Sequence, residues 1–322
     1  MSAAERPRIA VVGAGAIGGW IAARLALAGE PVAMLARGDT LEALRSGGLR
    51  LTDGDALRNV EVRASDDPAE LGPQDVLVIA VKAPALAQAA EAARPMIDAE
   101  TLIVPMLNGV PWWFTGEPLA SVDPGGRIAA ALLQAQVIGS VVHAACSRPA
   151  LNAVVVKHAD RLILGEPAGG SGERIDRLAA LFERAGITIE RHDNVRRAIW
   201  YKLWGNATIN PLSALTRSTA DKLLADPVLR SWMLEAMAEL AAVGAAIGCP
   251  IAESGEDRMA VTAKLGAFKT SMLQDVEAGR TIELEALLGA PLEIAARAGV
   301  PTPQLDRLYA MTRLMAEGLG LH

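Results

Sequence analysis

Short apolar runs alternate with longer stretches of mixed polarity through the N-terminal part of the chain. Such runs are typical of strands that are buried on both faces of a parallel sheet, because these read as continuous hydrophobic segments. The stretches between them have the spacing and punctuation of helices. The pattern predicts strands over residues 8–12, 31–36, 75–81 and 101–107, and helices over residues 20–28 and 84–94.

Further strands are predicted from a change of pattern. Residues 48–63 alternate in polarity and turn at Asp53-Gly54, which favours a β-hairpin. Residues 127–166 carry partly β-branched apolar stretches with short polar breaks, and they predict antiparallel strands that finish the same sheet. We place these strands at residues 135–138, 140–143, 153–156 and 161–164, followed by a helix over 172–185 and a last strand over 187–191.

Strand signals end at Asn194, and helical periodicity continues from there. Asp226-Pro227, Gly248-Cys249-Pro250 and Gly299-Val300-Pro301 punctuate this second part. We therefore predict an α/β domain over residues 1–193 and an all-α domain over residues 194–322. Helices of the second domain are predicted over residues 223–247, 256–278, 281–298 and 303–319.

Composition narrows the classes of function. The 322 residues are 51% hydrophobic and 21% charged, and the net charge of -6 without a basic run argues against nucleic acid as a partner. No apolar run reaches the roughly 18 residues of a membrane span, and no signal core precedes the first strand. The two cysteines and four histidines show no ligand spacing, so we predict no metal site. We expect a cytoplasmic protein with a small-molecule partner, and leave a homodimer open.

The first strand runs directly into Gly13-Ala14-Gly15-Ala16-Ile17-Gly18. This is the G-x-G-x-x-G pattern in the context that it requires, between a strand and a helix. Gly13 permits the tight turn, Gly15 lets the backbone approach a pyrophosphate, and Gly18 lets the helix pack closely on the strand. The helix N-terminus offers free N–H groups to phosphates. The α/β domain is therefore predicted to be a Rossmann-type dinucleotide-binding domain, and the alternative is a plain tight turn.

Arg37 follows the second strand at the position where NAD enzymes carry an acidic residue. A guanidinium there would pair with a 2′-phosphate, so we favour NADP over NAD. The alternative is that Arg37 is a surface arginine and that Asp39 is a weak acidic substitute.

Two polar residues follow later strands. Lys82 comes just after the strand at 75–81, and Asn108 comes just after the strand at 101–107. Open α/β sheets bind ligands at the carboxyl ends of their strands. Both residues are therefore candidates for contacts with a cofactor or substrate, although each alone could be an ordinary loop residue.

Lys202, Asn206 and Asn210 recur at every fourth position within residues 199–211. On a helix this spacing places an ammonium and two carboxamides along one face. Burying such a face is costly unless something polar fills it, which makes a small polar substrate the functional candidate. The alternative is a solvated helix face. The Asn210-Pro211 pair predicts that the helix ends or kinks there.

A second polar group occurs at Ser271, Asp275, Glu283 and Glu285. Ser271 and Asp275 are one helical turn apart, as they would be on any exposed face. Glu283 lies among apolar neighbours and could be a buried carboxylate, whereas Glu285 is as easily a surface residue.

Together these residues resemble the ketopantoate reductase (2-dehydropantoate 2-reductase) family over essentially the whole chain. The glycine motif is shared by many dehydrogenases, whereas the lysine–asparagine spacing and the Ser271-Met272-Leu273-Gln274-Asp275 segment are more specific. The resemblance implies NADPH-dependent reduction of a 2-oxo acid, most simply ketopantoate to pantoate. It implies that Lys202 is the general acid and that Glu283 is a carboxylate that orients the substrate. The residues that it places around the substrate are Asn108, Asn206, Asn210 and Ser271. Those that it places at the cofactor are Gly13, Gly15, Ala16, Ile17, Gly18, Arg37, Lys82 and Asn108.

The chain departs from the family pattern at Ala220 and Phe268, where relatives can carry asparagine. The loss of two amides leaves the chemistry intact and opens the substrate to a bulkier or more apolar 2-oxo acid. Two other hypotheses are a different hydroxyacid dehydrogenase and an NADPH-sensing protein without catalysis. In the favoured mechanism, Lys202 stabilises and protonates the carbonyl oxygen on which negative charge develops. We also expect the cofactor in the first domain and Lys202 facing it from the second.

Overall fold

The computed structural model describes residues 6–321. It contains two compact units: the chain up to Leu107 with Gly126–Val195 forms the first, and Asn108–Gly125 with the chain from Arg196 onward forms the second. The division at Val195 lies two residues beyond the predicted boundary. The earlier excursion, Asn108–Gly125, belongs to the second unit, although the sequence analysis placed it in the first domain.

The first unit alternates strands and helices. Its elements in chain order are β1 (Ile9–Val12), α1 (Ala16–Leu27), β2 (Val32–Leu35), α2 (Gly38–Gly47), β3 (Leu49–Asp53), β4 (Ala56–Val60), β5 (Arg63–Ser65), α3 (Pro68–Leu71), β6 (Val76–Ile79), α4 (Leu86–Ala93), β7 (Leu102–Pro105), α5 (Arg127–Ala131), β8 (Gly139–Ala150), β9 (Ala153–Gly165), α6 (Glu173–Arg184) and β10 (Ile189–Arg191).

A five-stranded parallel sheet forms the centre of this unit, in the order β5-β2-β1-β6-β7. Ile9 of β1 pairs with Val32 on one side and with Val76 on the other. The side chains of β1 and β6 are buried along their whole length. The predicted parallel sheet of continuous apolar strands is confirmed, because both faces of its central strands are covered.

The later strands form a second sheet, so the prediction that they finish the first sheet is wrong. Its order is β10-β9-β3-β4, with β8 paired to β9, and β3 and β4 are the predicted hairpin. Two long strands, β8 and β9, stand where four short strands were predicted. The predicted strands at 153–156 and 161–164 are joined into β9, because the exposed residues 157–160 between them continue the strand. Residues 134–136 form a 3₁₀ turn, and only Val137 bridges to the first sheet, at Ile103.

From Arg196 onward, the described part of the second unit is helical. A π-helical turn at Glu285–Gly289, here called the π-turn, precedes α12. No helix among residues 6–321 is long and apolar enough to cross a membrane. The helices are α7 (Val195–Thr216), α8 (Ala220–Ala225), α9 (Pro227–Ala246), α10 (Gly255–Ala263), α11 (Ser271–Glu277), α12 (Ala290–Ala298) and α13 (Pro303–Leu319).

Several helix bounds differ from the predictions. The helix predicted over 223–247 is divided at Asp226, whose carboxylate accepts the N–H groups of Val228 and Leu229 and so caps a new helix. The helix predicted over 256–278 is likewise two helices, because Thr270 caps α11. In contrast, α7 does not end at Pro211 but continues to Thr216, and burial of its last turns stabilises it there.

The segment Asn108–Gly125, here called the strap, joins the second unit through its aromatic residues. Trp112, Trp113 and Phe114 are each at most 4% exposed. The ring of Phe114 stacks on Trp200 of α7, with 5.8 Å between the ring centroids. Burying aromatic surface of this size is worth several kcal/mol, on the order of 25 cal/mol per Å², which explains why the strap leaves the first unit.

Candidate functional site

The glycine-rich turn between β1 and α1 is tightly packed at two of its three glycines. Gly13 has φ of +102°, and a Cβ atom there would lie 2.8 Å from the carbonyl oxygen of Ala80. A Cβ at Gly18 would lie 2.0 Å from the carbonyl oxygen of Gly13. At Gly15 the nearest atom would be 3.9 Å away, so the backbone there is open. The close contacts require glycine, and the open one leaves room for a ligand.

Helix α1 begins at Ala16 and not at Trp20 as predicted. Gly15 is its N-cap residue, no side chain caps the helix, and its first turn carries no acidic residue. Ala16 and Ile17 therefore lie in the first turn, where backbone N–H groups lack partners within the helix. An uncapped helix end of this kind is suited to an anion such as a phosphate.

The order of the first sheet explains why Arg37 and Lys82 are grouped with the glycine turn. They follow β2 and β6, which are the two neighbours of β1. Since the three strands are parallel, their carboxyl ends lie at one edge. Arg37 is exposed at the N-cap of α2, where its Nη2 donates to Oε1 of Gln88 at 3.3 Å. Lys82 is exposed directly before a 3₁₀ turn.

The sequence analysis missed Arg148. From β8, its Nη1 donates to the carbonyl oxygen of Ala14 at 2.8 Å, so a guanidinium contacts the glycine-rich turn. No sequence motif signals this contact, because β8 approaches the turn only through the pairing of the second sheet.

In the second unit, the polar seam of α7 is not a solvated face. Lys202 and Asn206 are partly buried, and Asn210 is only 5% exposed. The seam therefore carries a desolvation cost that an exposed helix face would not have. This burial favours the substrate interpretation over the solvated alternative.

The ammonium of Lys202 is held by the strap. Its Nζ donates to Oδ1 of Asn108 at 2.8 Å. Burial lowers the pKa of Lys202 from 10.5 to about 8, and the carboxylate of Glu283 acts in the opposite direction and raises it. A lysine with a pKa near neutrality can both carry a proton and give it up, which is the property of a general acid.

Glu283 and Glu285 have different environments, a point that the sequence left open. Glu283 is 8% exposed and lies two residues before the π-turn. Glu285 is exposed, and its Oε1 accepts the hydroxyl of Tyr309 at 2.8 Å. The buried member of the pair is thus the one that influences Lys202.

Ser271 and Asp275 occupy α11 in different ways. Ser271 is the exposed first residue of this helix. Asp275 is 3% exposed and accepts from Nε of Arg280 at 3.0 Å. Asp275 is therefore part of an ion pair that holds the end of α11, and Ser271 alone of the two is open to solvent.

The two positions that depart from the family pattern are in contact. The backbone N–H of Ala220 donates to the carbonyl oxygen of Phe268 at 3.0 Å. Ala220 is fully buried and Phe268 partly so. The two departures thus concern one location in the second unit.

These features define the class of protein. The first unit has the parallel sheet and glycine-rich turn of a Rossmann-type dinucleotide-binding domain, and the second is a helical domain with a partly buried lysine, Lys202. Comparison with known proteins agrees with this class. The family described as ketopantoate reductase PanE/ApbA matches residues 9–169, and its C-terminal domain matches residues 194–316.

Individual relatives match along almost their whole length. A 2-dehydropantoate 2-reductase of Mesorhizobium japonicum is 39% identical, over 98% of this chain and 99% of the relative. A crystal structure from Ralstonia solanacearum MolK2, assigned as a ketopantoate reductase, is 50% identical with a TM-score of 0.96, covering 99% of this chain and 100% of that one. The 2-dehydropantoate 2-reductase structure from Geobacter metallireducens GS-15 is 30% identical with a TM-score of 0.86, covering 96% and 99%.

The chain belongs to the ketopantoate reductase family. It is an oxidoreductase that acts on CH–OH groups and depends on a dinucleotide. The resemblance stated from sequence motifs is thereby confirmed.

Proposed function

We propose that this protein reduces a 2-oxo acid to a 2-hydroxy acid with NADPH, that its substrate is ketopantoate and its product pantoate, and that Lys202 is the general acid. The observation that carries the proposal is the buried ammonium of Lys202, with its pKa near 8 and its hydrogen bond to Asn108. The names of the relatives support the substrate.

Lys202 has two tasks in this proposal. As the carbonyl is reduced, negative charge develops on its oxygen, and an ammonium in a desolvated setting stabilises that charge strongly. Lys202 then transfers its proton to the oxygen, a contribution typically worth about 10²–10⁴-fold in rate. Asn108 accepts a hydrogen bond from the ammonium and so orients it.

The remaining polar groups of the second unit would bind the substrate. The carboxamides of Asn206 and Asn210 can donate to the substrate carboxylate without adding charge, and a ligand would satisfy the buried amide of Asn210. Glu283 would orient a hydroxyl group and keep the ammonium protonated near neutral pH. Ser271, which is exposed, would contribute a further hydrogen bond at the edge of the substrate.

The first unit would hold the dinucleotide, which supplies the hydride when it is bound. Gly13, Gly15 and Gly18 together with the first turn of α1 would contact the pyrophosphate. Arg37 would pair with the 2′-phosphate, since its guanidinium is exposed at the end of β2 and no acidic residue occupies that position. Lys82 would add a second cation at the same edge of the sheet.

A second candidate is a bulkier or more apolar 2-oxo acid. It is favoured by the contact between Ala220 and Phe268, which puts both departures from the family pattern at one place. In this alternative the reaction and Lys202 are unchanged, and only the side chain of the substrate differs.

The test is to follow NADPH absorbance with purified protein, using ketopantoate, 2-oxoisovalerate and phenylglyoxylate, with NADH beside NADPH. Fast turnover that is selective for ketopantoate and NADPH supports the proposal. Preference for phenylglyoxylate would favour the second candidate. Binding of NADPH without turnover of any of the three acids would refute 2-oxo acid reduction within this substrate range.

A further inference from the structure

The backbone hydrogen bonds of the π-turn before α12 have an unusual register. The N–H of Ala290 donates to the carbonyl of Glu285, five residues earlier, where an α-helix would use the residue four earlier. The next bond in the same register would run from residue 291 to the carbonyl of Ala286. π-helices are rare, occur mostly as single turns within α-helices, and are frequent at functional sites.

Residue 291 is a proline, which explains both the turn and its missing bond. Proline has no N–H to donate, and in a regular helix its ring would clash with the carbonyl four residues earlier, here that of Leu287. A wider turn upstream relieves this clash. The carbonyl of Ala286 is then left without the donor that π pairing would bring to it.

The strap supplies a donor instead. The N–H of Val110 donates to the carbonyl oxygen of Ala286 at 2.8 Å. The contact is close, since a Cβ atom at Gly109 would lie 2.3 Å from that same oxygen. Asn108, the residue that accepts from Lys202, immediately precedes this glycine.

We propose that Pro291 is a positioning residue: it reserves the carbonyl of Ala286 for Val110, and this bond fixes Asn108 against the ammonium of Lys202. Glu283 lies three residues before Ala286, so the carboxylate that acts on Lys202 and the carbonyl that holds the strap belong to one short segment, residues 283–286. The inference rests on the proposed function in assigning a catalytic role to Lys202, but the hydrogen bond itself can be tested without turnover.

The far end of the strap is held by a side chain of α12. The carboxylate of Glu293 accepts the N–H groups of Ala120 and Ser121 at 3.1 and 2.9 Å, and the Ser121 hydroxyl at 2.7 Å. Burial raises the pKa of Glu293, but the hydrogen bonds from Ser121 and Ala120 outweigh it and hold the pKa below its usual value. These three bonds use the side-chain carboxylate of Glu293, so a new backbone N–H at residue 291 does not compete with them. A change at residue 291 should therefore act at the near end of the strap, at Asn108.

The decisive variant is Pro291→Ala, which brings a second donor to the carbonyl of Ala286. If the π register stays, this donor is the new N–H of residue 291, and if the turn reverts to an α-helix, it is the N–H of Ala290. In either register the new donor competes with Val110. We expect the kcat for ketopantoate to fall about two- to tenfold, the worth of one backbone hydrogen bond, with the KM for NADPH unchanged. The Val110 amide, followed by hydrogen exchange, should exchange faster by a similar factor. Pro303→Ala is the matched control, since Pro303 also opens a helix, α13, and neither kcat nor Val110 exchange should change.

A double-variant cycle separates positioning from a general structural effect. In Asn108→Ala, adding Pro291→Ala should lower kcat no further, because the second change acts through the residue already removed. If Pro291→Ala does not fold, Gly109→Ala displaces the strap from the same carbonyl and should give the same non-additivity. Additive losses, or unchanged exchange at Val110, would overturn the inference. A wild-type protein that turns over no 2-oxo acid would instead contradict the proposed function, and exchange at Val110 would still decide the role of Pro291.

Discussion

The glycine-rich turn of the first unit and the lysine of the second are held in place by different means. The turn is largely local: a close contact joins Gly18 to Gly13, and Ala80, which follows the neighbouring sheet strand β6, adds a contact from further along the chain. The ammonium of Lys202 depends on Asn108 in the strap and on Glu283 before the π-turn, which are distant in sequence. A binding loop can thus be encoded by a short motif, whereas the environment of a buried charge requires several segments to fold together.

The largest effect should come from removing the ammonium. In Lys202→Ala we expect kcat to fall by about 10²–10⁴-fold, the usual worth of general acid catalysis, while the affinity for NADPH stays nearly the same. Steady-state rates and NADPH fluorescence titration measure the two quantities. Lys264→Ala, which removes an exposed lysine of the same unit, should be neutral in both. Near-normal turnover of the Lys202 variant would remove this residue from the mechanism.

Arg37→Asp tests the first unit separately from the second. We expect the KM for NADPH to rise about 10- to 100-fold and that for NADH to change little, because a charge-assisted bond to the 2′-phosphate is worth about 1.5–3 kcal/mol. Parallel KM measurements with the two cofactors check this. Arg58→Asp provides the matched control on an exposed strand position of the same unit. Equal effects on both cofactors would show that Arg37 does not choose between them.

Two substitutions in the glycine-rich turn distinguish a glycine that is required for packing from one that is required for the approach of the cofactor. Gly18→Ala forces a Cβ atom to 2.0 Å from the Gly13 carbonyl and should cost about 1–3 kcal/mol of stability, seen as a lower Tm. Gly15→Ala meets only an atom at 3.9 Å, so the Tm should hold while NADPH binding weakens. Thermal unfolding with and without NADPH distinguishes the two. A Gly15 variant that binds NADPH normally would argue against backbone contact there.

The smallest expected effect is a shift in pH dependence. Because the general acid must be protonated, kcat for reduction should be constant below the pKa of Lys202 and fall above about pH 8. The carboxylate of Glu283 raises that pKa, so Glu283→Gln should move the fall to lower pH. Glu277→Gln, which alters an exposed ion pair with Lys269, should leave the profile in place. A profile that moves to higher pH in Glu283→Gln would be the opposite of what the charge requires.

Much of the first unit was predictable because its signals are local. The apolar runs of β1, β2, β6 and β7 and the glycine motif each depend on neighbouring residues. The second sheet was not predictable in the same way. Nothing near residues 153–165 indicates that β9 pairs in parallel with β3, since that pairing joins segments far apart in the chain.

The helical unit shows the same limit at its helix ends. Asp226-Pro227 breaks the helix that was predicted to run over 223–247, yet the similar Asn210-Pro211 pair, which was predicted to end or kink a helix, does not end α7. A proline inside a helix costs about 3 kcal/mol, and burial of the residues that follow Pro211 outweighs this cost.

The sequence by itself determined the parallel sheet, the glycine-rich turn and the spacing of Lys202, Asn206 and Asn210, because strand and helix periodicities and tight turns are properties of adjacent residues. Only the tertiary structure decided that the strap joins the helical unit, that Asn108 meets Lys202, and that Pro291 leaves a carbonyl for Val110. Those outcomes depend on which distant groups are desolvated together, and desolvation is set by the folded core and not by local pattern.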